Sequence, residues 1–178
     1  RPRPAGAARV VACPGGRGGG TALRMAAYPK SLGLPEGSRI AILSKNGAHW
    51  IMTDWAIWMA GYVSVPLYPT LNADTVEYVL DHAGCEVLFV GKLDDWDAMK
   101  PGVPDSVRCI SYPLSPSNDF ESWDDIVSKY PPLEQNTQRS EDELAPIVYT
   151  SGSPGPPTGV KLSFGARAHR GRGQGGLH

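Results

Sequence analysis

The sequence predicts an α/β fold: a partial doubly wound parallel sheet, flanked by two basic tails expected to be disordered. Three observations point there. Short apolar runs alternate with longer segments of helical period, and the connections between them are short. One of those segments, His49 to Ala60, is apolar nearly all round, as a helix buried between layers is. Glycines and capping residues stand where such helices would begin and stop. With 178 residues, 41% of them apolar, the chain suffices for one domain with a real core.

The elements follow in order. Met25 to Gly33 reads as the end of a helix with a glycine stop, although Pro29 falls inside it, and an interior proline costs a helix about 3 kcal/mol. Pro35-Glu36-Gly37-Ser38 is a turn, and Arg39 to Leu43 a strand. The apolar helix from His49 carries Trp50, Trp55 and Trp58 and stops at Gly61; Tyr62 to Leu67 is the next strand. Asn72 can cap a helix whose stripe is Val76, Val79, Leu80 and Ala83, with Gly84 beyond its end. Strands are expected at Val87–Val90 and Val107–Ile110, with a short helix near Asp95–Met99 between them. Ser122, with Asp125 three residues on, resembles a capping box for a short helix to Lys129. A polar linker, Glu134 to Glu143, leads to a buried strand at Pro146–Tyr149, where the proline would remove a ladder donor if the strand is central.

The net charge of −1 hides an uneven distribution. All 18 acidic residues lie between Glu36 and Glu143. Residues 1–24 hold five arginines and no acid, and 161–178 hold four basic residues and no acid. The expected division is therefore a disordered tail over 1–24, the domain over 25–164 and a Gly/Arg-rich tail over 165–178. Three cysteines, Cys13, Cys85 and Cys109, have no metal-ligand or disulfide spacing. A reducing, cytoplasmic setting is expected, with peripheral membrane association as the alternative. No apolar run is long enough for a membrane span, and the N-terminus lacks the apolar core of a secretory signal.

Most polar clusters have a bland reading. Asp94-Asp95-Asp97 and Glu141-Asp142-Glu143 are local and read as solvated or capping groups, so no metal site is assigned. The three tryptophans read as packing residues, and His49 and His82 have no triad partners. Arg170-Gly171-Arg172-Gly173 has the composition of an RNA-binding tail, but both chain ends share it and no nucleic-acid partner is assigned. The first strand–helix turn, Leu43 to Ala48, lacks the glycines of a dinucleotide-binding turn.

The stretch after Tyr149, Thr150-Ser151-Gly152-Ser153-Pro154-Gly155-Pro156-Pro157-Thr158-Gly159, is the organising feature. Glycines let backbone N–H groups approach a phosphate, and hydroxyls add donors. In parallel sheets, ligands bind at the carboxyl ends of strands, where this loop falls.

Tyr149 to Val160 resembles the signature of AMP-forming adenylating enzymes, Tyr-Thr-Ser-Gly-(Ser/Thr)-Thr-Gly-x-Pro-Lys-Gly-Val. From about Leu32 to Phe164 the chain is similar to the N-terminal half of an acyl-CoA synthetase, with the long-chain fatty acid branch the best likeness. Asn46, Trp50, Asp54, Gly61, the run Val65 to Thr70, Tyr78 and Phe89-Val90 carry that likeness. The resemblance implies the N-terminal subdomain of an adenylate-forming fold. It also implies an ATP-dependent fatty acid CoA ligase with Mg²⁺ as cofactor and coenzyme A as co-substrate. It places Thr150, Ser151, Gly152, Ser153, Gly155 and Gly159 on the β- and γ-phosphates. Two positions depart from the family: Pro154 stands in place of Thr, and Thr158 in place of Lys. The resemblance ends near Phe164, before the family's later motifs and its catalytic lysine. The chain is therefore expected to be incomplete for catalysis, as a fragment read into other frames or a decayed gene would be. The alternative is a non-catalytic nucleotide-binding or inert remnant.

Overall fold

The computed structural model describes residues 16–134, 144–150 and 156–163. Its strands are β1 (Arg39–Leu43), β2 (Val63–Leu67), β3 (Cys85–Val90), β4 (Arg108–Ser111), β5 (Glu121–Ser122), β6 (Leu144–Thr150) and β7 (Thr158–Ser163). They form one sheet in the order β5-β4-β3-β1-β2-β6-β7. All neighbours pair in parallel except β6 and β7, which form an antiparallel hairpin. The helices are α1 (Arg17–Ser31), α2 (Ala48–Met59), α3 (Ala73–Ala83), α4 (Trp96–Met99) and α5 (Trp123–Lys129).

Alternation along the strands explains the double winding. Ile40, Ile42, Val87, Phe89 and Ile110 point to one face, where Met25, Ile57, Trp123 and Ile126 of α1, α2 and α5 cover them. Ala41, Leu43, Leu88 and Val90 point to the other face, under Val76, Val79 and Leu80 of α3 and Trp96 and Met99 of α4. A strand buried on both sides reads as a continuous apolar run rather than an alternating one, which is why β1 and β3 look as they do in sequence. Each large side chain so buried contributes about 1.5–3 kcal/mol.

The caps of α3 stand where the sequence puts them. Asn72 accepts a hydrogen bond from the Thr75 N–H at 2.9 Å, and Gly84 takes the left-handed conformation at φ 65°. Ser122 likewise accepts from Asp125 N–H and starts α5.

One expectation is corrected. It placed residues 1–24 in a disordered tail, but α1 begins at Arg17, and Ala22 and Met25 are fully buried. The apolar spacing Ala22, Met25, Ala26, Pro29 makes a helical stripe that continues through the assumed boundary. Packing of that stripe outweighs the roughly 1 kcal/mol that each glycine costs a helix. Pro29 falls in the last turn, and its carbonyl accepts from Leu32 N–H at 3.2 Å. The loss of a ladder donor expected at Pro146 holds, because β6 is interior, between β2 and β7. The proline sits where the β6–β7 register shifts between Leu144 and Ile147, an irregularity that accommodates a missing donor.

One polar contact ties α2 to the sheet beside β6. The buried Ser64 hydroxyl of β2 donates to Asp54 Oδ1 at 2.9 Å.

Candidate functional site

Chain order opens a crevice at the carboxyl ends of β2 and β6. The chain leaving β2 crosses β1 to reach β3, whereas the chain leaving β6 turns away to β7. Diverging connections of this kind mark the ligand crevice of open α/β sheets. Two cavities lie there, sharing Pro66, Leu67 and Tyr68. The larger, about 360 Å³, adds Ser44, Lys45, Asn46, Trp50 and Val148. The smaller, about 170 Å³, adds Leu71, Thr75 and Val79 from the α3 side and Tyr149 and Pro157 from the hairpin. Tyr68, 56% exposed, is a wall common to both.

Thr150 is the exposed last residue of β6 and pairs with Thr158, the exposed first residue of β7. Gly159 pairs with Tyr149. Ser151, Gly152, Ser153, Pro154 and Gly155 lie outside the described residues. The hairpin thus brings Thr150, Thr158 and Gly159 together, next in the chain to the cavity-lining Tyr149 and Pro157. A Cβ on Gly159 would approach Tyr149 Cζ to 3.2 Å and Ile147 Cγ2 to 3.4 Å, so the glycine leaves room for the tyrosine ring.

Tyr149, 7% exposed, opens the motif in sequence but was given no role in the site. Its hydroxyl and His82 Nδ1 are hydrogen-bonded at 2.8 Å. His82 in turn stacks on Tyr78, with ring centroids 5.4 Å apart and planes 19° from parallel. Burial raises the Tyr149 phenol pKa above its ordinary value; Cys85 and Tyr78 add to the rise and Arg39 opposes it. The available signal was the four-residue spacing of Tyr78 and His82, which places both on one helix face.

Lys45 is committed elsewhere, with its ammonium 2.6 Å from Asp94 Oδ2. Trp50 has two roles, packing against the core and lining the larger cavity. Among the described residues no three His, Cys, Asp or Glu side chains converge on one point. These residues therefore do not fit an all-protein Mg²⁺ site; such ions are usually held by one or two carboxylates plus substrate phosphates. Among the described residues no helix is long and apolar enough to cross a membrane.

The mostly parallel, doubly wound sheet is shared with solved CoA ligases. The anthranilate CoA ligase AuaEII superposes with a TM-score of 0.71 at 20% identity, over 82% of this chain and 28% of that one. A putative long-chain-fatty-acid CoA ligase from Rhodopseudomonas palustris gives 0.65 at 25% identity, over 82% and 36%. The sequence matches the AMP-binding enzyme family over residues 20–175. The chain belongs to that family. The match reaches into both stretches expected to be tails, 1–24 and 165–178.

Three relatives are similar at the sequence level. Fatty acyl-CoA synthetase A of Dictyostelium discoideum is 35% identical over 146 residues, 74% of this chain and 22% of that protein. Long-chain-fatty-acid–CoA ligase ACSBG2 of Homo sapiens is 33% identical over 146 residues, 74% and 22%. Long-chain-fatty-acid–CoA ligase FadD15 of Mycobacterium tuberculosis is 31% identical over 156 residues, 83% and 26%. The chain thus spans about a quarter or less of the length of these relatives.

Proposed function

We propose that residues 150–159 bind the phosphates of ATP, and that the chain is the corresponding part of a fatty acid CoA ligase. In that reaction a carboxylate oxygen attacks the α-phosphorus of ATP and pyrophosphate leaves. The thiol of coenzyme A then displaces AMP from the acyl-adenylate. The observation that carries the reading is positional. The motif-bearing hairpin opens at the carboxyl end of β6, where the departing chains diverge and a cavity of about 360 Å³ adjoins it. The names of the relatives, fatty acyl-CoA synthetase and long-chain-fatty-acid ligase, support the substrate class.

In this reading Thr150, Ser151 and Ser153 supply hydroxyls, and Gly152 and Gly155 supply closely approaching N–H groups. Gly159 frames the loop by accommodating Tyr149. The departures at Pro154 and Thr158 favour a second reading, nucleotide binding without turnover. Pro154 offers no N–H. Thr158 offers no positive charge, and losing a single transition-state donor slows reactions by about 10²–10³.

Titration with MgATP and with AMP tests the first reading, which requires ATP to bind more tightly. Equal affinities would overturn it. Acid-dependent exchange between ATP and pyrophosphate separates the two readings: measurable exchange excludes binding without turnover.

A further inference from the structure

We infer that His82 is a positioning residue: through Tyr149 it fixes the end of β6 against α3 and so sets where residues 150 and 158 stand. The consequence for nucleotide affinity rests on the phosphate-binding reading given above; the mechanical coupling does not.

The hairpin stem needs such an anchor because its main-chain support on the β2 side is thin. Among the described residues the β2–β6 pairing is the bridge Ser64↔Pro146, four residues before Thr150. Pro66 and Pro146 both lack an N–H, so neither can donate to the ladder there. Side chains take over further along. Tyr149 is bonded to His82 at 2.8 Å. The two rings meet edge to face, with centroids 5.8 Å apart and planes at 88°. On its flank the tyrosine ring occupies the space that Gly159 leaves, so both strands of the hairpin close on the same ring. Pro157, on the returning strand's approach, lines the smaller cavity with Tyr149 and with Thr75 and Val79 of α3.

The anchor is itself held. α3 is capped by Asn72 at one end and stopped by Gly84 at the other. His82 lies one turn beyond Tyr78 and stacks on its ring. His82 is exposed, so it contributes little apolar burial of its own, and its bond to Tyr149 joins elements 67 positions apart in sequence. A polar contact on an exposed side chain, aimed at the residue preceding the phosphate motif, fits a role in alignment better than one in core packing.

Hydrogen exchange and nucleotide titration on the full chain test this together. His82→Ala and Tyr149→Phe should both speed exchange at residues 148–150 and 158–160 and leave β1 at the wild-type rate. His82→Asn, whose amide nitrogen can take the place of Nδ1, should restore slow exchange. MgATP affinity should fall roughly two- to tenfold in the first two variants, the worth of one neutral hydrogen bond, with AMP affinity unchanged. Unchanged exchange at 148–150 and 158–160, or exchange that rises equally in β1, overturns the inference. If exchange changes as expected but even the wild-type chain binds no ATP, the anchor stands and the phosphate-binding reading falls.

Discussion

Replacing Ser64 by alanine should destabilise the chain by about 1–3 kcal/mol, the range for a buried acceptor that loses its donor. Ser64 is 1% exposed, and its acceptor Asp54 is 3% exposed. Their bond, 2.9 Å long, runs between α2 and β2. Both ends are shielded, so bulk water does not stand in for the missing hydroxyl. For a chain of this size 1 kcal/mol corresponds to about 2–4 °C in Tm, so the melting midpoint should drop by about 2–12 °C by that scaling. Urea unfolding followed by circular dichroism should show a lower midpoint with an unchanged slope. The decisive control is the same substitution in an Asp54→Leu background. There the acceptor is gone and the Ser64 hydroxyl is itself the buried group without its partner, so Ser64→Ala should be neutral or stabilising, by up to about 1–3 kcal/mol. A loss equal in both backgrounds, or a loss below about 0.3 kcal/mol in the parent, would show that the Ser64–Asp54 bond does not stabilise the chain.

Three further outcomes follow from local geometry and burial. Asn72→Ala removes the cap on Thr75 N–H and should lower stability by about 1 kcal/mol in urea titrations, with Asn72→Ser close to wild type. Gly102→Ala would put a Cβ 2.0 Å from the Ala73 carbonyl oxygen; thermal melts should show a loss of about 1–3 kcal/mol or more. Burial pushes the Cys85 thiol up to about 12, with Arg39 opposing, and the Cys109 thiol up to about 11. Iodoacetamide at pH 8, followed by peptide mapping, should therefore label both only after unfolding. Because these pKa values are raised in the folded state, their contribution to stability is complete below the ordinary thiol value of 9.0. It is lost as pH climbs toward about 12, since the unfolded chain ionises first. A urea midpoint that stays flat from pH 8 to pH 11 would contradict this.

Features that depend on near neighbours in the chain were legible. Arg39–Leu43 was read with the limits the structure gives it, and α3 was read with both caps. Short apolar runs bounded by turn residues, and a polar side chain three positions before an N–H that needs a partner, are local signals. Features settled by tertiary packing were not legible. The glycines at 18–20 argue against a helix, yet the stripe from Ala22 to Pro29 finds cover and draws the helix back to Arg17. β5 is two residues long and exists only because β4 lies beside it. Thr53, Asp54 and Ser64 are fully or nearly fully buried, but polar residues inside an apolar helix or strand do not announce their partners. Of the candidate site, Thr150, Thr158 and Gly159 were proposed through the motif. Tyr149 and His82 were missed as a pair because the 67 positions between them are bridged only by the fold.

In the proposed function the β6–β7 hairpin presents its loop to nucleotide phosphates and is weakened where Thr158 replaces a lysine. Calorimetric titration of the Thr158→Lys variant tests this most directly. Residue 158 pairs with Thr150 at the mouth of the loop, and a charge-assisted hydrogen bond there is worth about 1.5–3 kcal/mol. At 1.36 kcal/mol per decade, MgATP should bind roughly 10- to 150-fold more tightly than to the parent chain, with AMP affinity essentially unchanged. An unaltered ATP affinity, or an equal gain for AMP, would contradict phosphate binding by this hairpin.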